Sequence, residues 1–466
     1  MLFNSYIFVL AFLPIVLLVW WSPFLSTRMR LISLVAASYT FYGWWDYRFV
    51  LLLFVSTIID FKCGQQIHKN LIPKRRLFWL ILSLISNLGI LGFFKYSGFF
   101  ARSMNALTDW IAGGGAIPVP EIILPAGISF YTFQTMSFSI DVYRKQARPT
   151  ESFWHFAAYV SMFPQLIAGP IVRYTEIESQ LRSIPEKIDH SQFSRGIYFF
   201  VVGMVQKVLF ADLIAAAFEP LLENYQSLAL VGSWFCMLGY SCQLYFDFAG
   251  YSNMAVGLGL MLGFSFPQNF DSPYQATNIS DFWRRWHITL SNWLRDYLFI
   301  PLGGSREGHF RTLRNLVIVM FLGGLWHGAN WTFVVWGLYH GSLLAIYFAL
   351  RSWKQIHVPA LLGQMFTFLL VLIGWVIFRS TDLSMCGNLL ASMAGMHGIY
   401  GPAEHWTVIQ ESLPLLIALL LVVFFVPNAW KWNFRPQWQM ALVLSSLLVL
   451  CVLRFSTESP FLYFQF

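Results

Sequence analysis

Residues 323–330 read GGLWHGAN and place a titratable side chain, His327, inside an apolar stretch flanked by LVIVMFL and WTFVVWGLYHGSLLAIYFAL. A charge held at mid-membrane costs roughly 2.5–3.5 kcal/mol on insertion scales. Histidine avoids that cost by staying neutral. A neutral imidazole in such a place is either a hydrogen-bonded packing residue or a general base that takes a proton from an attacking hydroxyl or thiol. Two features favour the base. Gly323, Gly324 and Gly328 weaken the helix around His327 and leave room for a reactant, and Asn330 supplies a nearby donor and acceptor.

A second constellation lies in SDFWRRWHITLSNWLRDYLFIPLGGSREG, residues 280–308. Taken as one helix, it sets Trp283, Trp286, Leu290, Trp293 and Tyr297 on one face and Arg284, His287, Ser291 and Arg295 on another. An interfacial helix anchored at the membrane surface has that form. So does a cationic stripe that receives the phosphates of an anionic ligand, and His287 on the stripe adds weight to the second reading. Arg285 also stands four residues after Asp281, the spacing of an ordinary helical ion pair. Asp247, in QLYFDFAGYSNMAVGLGLMLGF (243–264) with Tyr251 and Asn253 close behind, orients a histidine or lines a channel, or else pairs with an arginine and holds helices together. Asp296, His340 and the remaining histidines are read as structural. No metal is expected: Cys63, Cys236, Cys242, Cys386 and Cys451 make no ligand spacing and read as small buried hydrophobes.

The elements that must position these residues are membrane helices. Of the 466 residues 57% are hydrophobic and 11% charged, and the mean hydropathy is +0.58. A soluble domain carries about a quarter charged residues, and the alternation of a β-barrel is missing. The fold class is therefore an all-α polytopic membrane protein, a single domain over 1–466. About 11 transmembrane helices are expected, near 5–21, 31–45, 48–61, 77–94, 123–141, 196–217, 228–247, 331–350, 361–378, 412–427 and 439–453. The shorter apolar pieces 153–171, 251–266 and 314–326 read as re-entrant half-helices, which survive at membrane depth only under cover of protein or beside a water-filled cavity.

The net charge of +8 is scattered among the spans, which points to topology and not to nucleic acid. Loops 28–30, 69–76, 144–148, 173–195 and 267–314, with Arg351 and Lys354, are expected on the cytoplasmic side. Loop 95–122, Glu219, Glu223 and both termini then fall outside. The first apolar stretch has neither a basic leader nor a cleavage site and reads as a retained span.

RRWHITLSNWLRDYLFIPLGG followed by FLGGLWHGANWTFVVWGLYHG resembles the signature of bacterial membrane-bound O-acyltransferases (MBOAT). ASYTFYGWWDYRF, LPAGISFYTFQTMSFSIDVYR, FPQLIAGPIVRY and QLYFDFAGYSNMAVGLGLMLGF extend the resemblance over almost the whole chain. Within the family the chain is most similar to the membrane subunits of alginate O-acetyltransferases. Subunits that acetylate cellulose and peptidoglycan are close, and the D-alanyl-transferring branch is more distant.

The resemblance implies a ring of helices around a central tunnel, with His327 at the family's invariant histidine and His287 at its second polar position. It also implies an acetyl group drawn from a cytoplasmic donor, acetyl-CoA, as a substrate and not a bound cofactor. That group crosses the bacterial inner membrane and is placed on an extracytoplasmic polysaccharide by a periplasmic or membrane-anchored SGNH-type O-acetyltransferase within a synthesis and export complex. In this scheme Arg284, Arg285 and Arg295 receive the donor's phosphates, and Asp247 and Asn330 orient the histidines. Loops 95–122 and 379–411 would share polymer specificity with the partner. Two other classes compete: a transporter or flippase of a lipid-linked saccharide, which uses broken helices too but often shows matched halves not seen here, and a non-catalytic scaffold of a secretion complex.

Overall fold

The structure is a computed structural model that describes all residues except 114–116, 354–357, 433, 456–458, 460 and 463–466. Lys354, assigned to a cytoplasmic loop, and the tip of loop 95–122 lie outside the described residues. The described elements are helices and loops. Six helices are long and apolar enough to cross a membrane: Arg48–Lys69, Pro73–Ile111, His190–Glu223, Trp331–Ser352, Ala360–Arg379 and Ala403–Phe425. Phe8–Trp20, Leu383–Met393 and Trp438–Leu453 are shorter apolar helices.

Several expected boundaries move. The stretch 77–94 does not end in a loop at 95 but runs on through a π-bulge, Gly92–Tyr96, into Ser97–Ala112. The pieces 228–247 and 251–266 fuse largely into one 32-residue helix, Leu230–Met261. The piece 314–326 belongs to a 19-residue helix, His309–His327, and is no half-helix. Only 153–171 breaks up as expected, into Phe153–Ser161, a single turn Phe163–Leu166 and a non-helical run. Hydropathy underestimated these lengths because polar or small residues such as Asp247, Gly250, Arg311 and Arg314 interrupt the apolar runs without ending the helices.

The chain divides into two units. The first comprises Met1–Phe200 with Met254–Pro267. Its Ile128–Tyr143 helix is buried on all sides, as a helix without a polar face must be. It packs on Arg48–Lys69 and Pro73–Leu91 around a carboxylate the sequence analysis did not single out, Asp60. Ser83 Oγ donates to Asp60 at 2.6 Å and Asn87 Nδ2 at 2.8 Å, while the Asn87 carbonyl accepts from Thr135 Oγ1 at 2.8 Å. Arg30 and Arg76, from two of the basic loops, are committed to backbone carbonyls: Arg30 to Pro185, Arg76 to Ile67 and Tyr143.

The second unit comprises Val201–Asn253 with Gln268–Phe466. Its central feature is the hairpin of His309–His327 and Trp331–Trp353. A Cβ on Gly324 would stand 2.3 Å from the Phe333 carbonyl oxygen and 3.0 Å from Gly337 Cα, and one on Gly341 would stand 2.9 Å from Val317 Cα. Small residues let the two backbones approach this closely, the usual device for joining helices in lipid.

Candidate active site

His327 is the last residue of its helix, and the chain turns at once through Gly328 into the next. The glycines around it do not open space for a reactant, as the sequence suggested. The place of a Cβ on Gly328 is filled by the Phe333 ring at 2.0 Å, that on Gly323 faces Leu294 Cδ1 at 3.2 Å, and Gly324 forms the helix crossing. His327 is buried, retaining 4% exposure. Its ring meets Trp326 and Trp336 edge-on with centroids 5.0 Å away, and Phe378 at 5.4 Å. Aromatic walls on several sides fix the imidazole and exclude bulk water.

His287 does not lie on an exposed cationic stripe. The expected single helix breaks at this residue into Ile279–Arg285 and Ile288–Leu294, with His287 in the left-handed conformation at φ +45°. A non-glycine residue there is strained and persists only when its surroundings over-determine it. The segment 269–271 supplies that support, since Ile288 N donates to Asn269 O and Asp271 N to Arg285 O, both at 2.9 Å. The break turns His287 inward and buries it completely.

Asn269 then fixes the ring's tautomer. Its Oδ1 accepts from the Thr289 backbone N–H at 3.4 Å and from Thr289 Oγ1 at 3.0 Å, and its Nδ2 donates to Ser252 Oγ at 3.2 Å. A backbone N–H can only donate, so the oxygen of the carboxamide must face this side. His287 Nδ1, 3.0 Å from the same oxygen, therefore carries the proton, and Nε2 holds the lone pair, the form needed in a base or acceptor. Sequence reasoning missed Asn269, which stands in a loop, PQNFDSP, with no periodicity to mark it.

The two histidines share a wall. The Trp326 indole centroid is 5.9 Å from the His287 ring and 5.0 Å from the His327 ring. Beyond Trp336 stands His340, 4.8 Å from that indole and fully buried among Trp283, Tyr339 and Trp375. Among the described residues neither of its ring nitrogens has a hydrogen-bond partner, nor do the indole N–H groups of Trp283 and Trp336. The signal in the sequence was Trp336 followed by His340 four residues on, which puts both on one helix face beside His327.

The remaining predicted residues separate. Asp247 pairs with Lys207 Nζ at 2.6 Å and accepts the Leu462 N–H at 2.8 Å, while Lys207 also reaches Asp212 at 2.8 Å. It joins helices, the structural role among those expected, with a lysine in place of the expected arginine. The link to the site is indirect: the next residue, Phe248, sets its ring edge-on to His287 at 4.7 Å. Lys207, missed in the sequence, sits in a π-bulge, Gln206–Ala211, a distortion frequent at special positions.

Asn330 donates to the Thr381 carbonyl at 2.7 Å and accepts the Thr332 N–H at 3.3 Å. Its carboxamide thus caps the following helix and pins a loop. The three arginines proposed for a donor are paired: Arg284 and Arg285 with Asp281 at 3.9 and 3.0 Å, Arg295 with Asp296 at 2.6 Å. Arg284 and Arg295 keep more than half of their side-chain surface exposed, Arg285 about a quarter. Among the described residues no group of His, Cys, Asp and Glu could hold a metal ion, and all five cysteines are buried and free.

Comparison with known proteins bears on the same segments. The chain is 44% identical over 437 residues to a probable alginate O-acetylase of Azotobacter vinelandii, covering 91% of this chain and 84% of that protein. A probable alginate O-acetylase of Pseudomonas putida is 39% identical over the full length of both chains. A peptidoglycan O-acetyltransferase of Helicobacter pylori is 33% identical, covering 100% of this chain and 98% of that one. Residues 6–386, which include both histidines, match the model of the membrane-bound O-acyltransferase family. With an all-helical fold, several membrane-crossing helices and two buried histidines on one indole, the chain belongs to the membrane-bound O-acyltransferase family and is an acyltransferase.

Proposed function

We propose that this acyltransferase is the membrane subunit of a system that O-acetylates an extracytoplasmic polysaccharide, an alginate-like exopolymer first, cellulose or peptidoglycan next. It resides in the bacterial inner membrane with both termini periplasmic. The acetyl donor is cytoplasmic acetyl-CoA, and a periplasmic or membrane-anchored SGNH-type acetyltransferase of the export complex completes the transfer. The relatives named above support the polymer class.

The observation that carries the chemistry is the pairing of His287 and His327 across Trp326 inside a dry aromatic enclosure. His327 acts as the general base. It takes the proton of the acceptor hydroxyl as that oxygen attacks the thioester carbonyl. The C–O bond forms, the C–S bond breaks, and the departing thiolate recovers the proton from the imidazolium. His287, held by Asn269, positions the thioester from the donor side. Arg284, Arg285 and Arg295 can exchange their carboxylate partners for the donor's phosphates, and Arg284 is the first choice because its 3.9 Å contact is the loosest. The route demands that the aromatic packing around His327 open to a passage from both faces of the bilayer.

The test is transfer of labelled acetyl from acetyl-CoA by the purified chain with its partner. His327→Ala should lower transfer by at least about 100-fold, the lower range for losing a general base, while the protein stays folded and monodisperse. Unchanged transfer removes His327 from the reaction.

A further inference from the structure

A cavity of about 840 Å³ lies in the second unit between the later half of Trp331–Trp353 and the first half of Ala360–Arg379. Buried Gly363 and Thr367 lie at its base, Thr277–Ile279 also line it, and its walls are leucine, isoleucine and aromatic side chains. Ile346, Leu362 and Phe366 on its rim are each more than half exposed. Both flanking helices are membrane spans by length and composition, so the groove opens onto hydrocarbon and its apolar rim needs an apolar occupant. The volume is that of a pocket for a ligand of several hundred daltons.

One cation lies on this groove, Arg351, at the end of its helix. Unlike Arg284, Arg285 and Arg295, it makes no ion pair with any described carboxylate, and no Asp or Glu lines the cavity. A basic residue beside a cleft between membrane helices attracts an anionic headgroup, while the cleft takes the tails. At Thr277 the two backbones meet closely: a Cβ on Gly363 would stand 2.7 Å from the Thr277 carbonyl oxygen. An occupant would therefore brace the segment that leads into the Ile279–Arg285 helix and His287.

We infer that this groove binds an anionic glycerophospholipid, its phosphate on Arg351 and an acyl chain along Leu343, Ile346, Leu362 and Phe366. The site is independent of the acetyl-transfer reading, because it uses none of the residues placed in that reaction.

The full chain, purified from membranes in mild detergent, is examined by native mass spectrometry for retained lipid, then titrated with phosphatidylglycerol or phosphatidylcholine while its melting temperature is followed. Phosphatidylglycerol should be retained and should raise the melting temperature, with phosphatidylcholine weaker by about fivefold or more, the weight of one basic residue at a charged surface. Arg351→Ala should abolish that preference, and Gly363→Leu should remove retention of either lipid. Arg28→Ala, an exposed arginine of the other unit, should change nothing. Because Arg351 is exposed at a helix end, its substitution leaves packing intact, and an unaltered melting temperature without lipid verifies that. Equal binding of both lipids to the parent chain, or full phosphatidylglycerol retention by Arg351→Ala, overturns the inference. So does displacement of the retained lipid by micromolar acetyl-CoA, which would assign the groove to the donor.

Discussion

Replacing Asn269 by alanine tests whether His287 works through a fixed tautomer. In the structure one carboxamide oxygen receives the His287 Nδ1–H, the Thr289 N–H and the Thr289 hydroxyl, all buried. Its removal strands the imidazole donor, at a cost of about 1–3 kcal/mol for an unsatisfied buried group. The ring escapes that cost by rotating or by moving its proton to Nε2. Either escape takes the lone pair away from the reaction, so the same 1–3 kcal/mol should appear as a fall in acetyl transfer of roughly 5- to 150-fold.

Turnover per folded molecule, with the melting temperature measured alongside, separates catalysis from stability. Thr289→Val deletes one of the three donors and leaves the His287–Asn269 contact, so it should keep most of the activity at a similar cost in stability. Ser252→Ala removes the partner on the amide side and should fall between the two. If Asn269→Ala turned over at the parent rate while still folded, the orientation of His287 would be irrelevant to transfer and the tautomer argument would fail.

Four further outcomes test packing, a buried ion pair and a helix cap. Gly324→Ala forces a methyl group to within 2.3 Å of a backbone oxygen of the paired helix and should destabilise by about 1–3 kcal/mol. Gly89→Ala meets nothing within 4 Å and should raise the melting temperature through helix propensity alone. Lys207→Met leaves Asp247 buried without its cation and should cost about 3–5 kcal/mol, much of it recovered in the double variant with Asp247→Asn; retention of monodisperse protein after heating reads both. Asp382 caps Leu383–Met393 through Met385 N at 2.9 Å, and that backbone hydrogen bond, with help from Thr381, holds its carboxyl below the usual range. Its contribution is therefore present above the unfolded pKa near 4 and lost as pH falls through the lower folded value. Asp382→Ala should lower stability by about 1 kcal/mol at pH 7, and the gap between variant and parent should close in acid.

What was legible in the sequence was whatever a helix repeat or a local motif records. The membrane class, the long apolar spans and the placing of His327 within an apolar stretch all follow from residues close together in the chain. The break at His287 was hidden because Trp283, Trp286, Leu290 and Trp293 keep a helical spacing straight through it. The left-handed residue is stabilised from Asn269, 18 positions away. Lys207 and Asp60 were hidden for the same reason: each is tolerable only because of partners on other helices, and a linear pattern carries no mark of them. The glycines were read in the wrong sense. Near a polar residue a small side chain suggests room for a ligand, yet Gly324 and Gly328 are small because another part of the chain already fills the space.

The destination of each buried lone pair or charge separates the ionisable groups that hold this membrane protein together from those that can do chemistry. Asp60 spends its carboxylate on Ser83 and Asn87, and Asp247 spends its own on Lys207 and a backbone N–H. Such groups stabilise a helix contact and have nothing left to offer a reactant. His287 is held through Nδ1 by Asn269, while His327 is walled by indole and phenyl edges across the same tryptophan. Asn269 gives the His287 ring a defined direction, and the Trp326, Trp336 and Phe378 rings fix that of His327. The assignment of the reaction to this pair therefore rests on their common wall at Trp326 and on the fixed orientation of each ring.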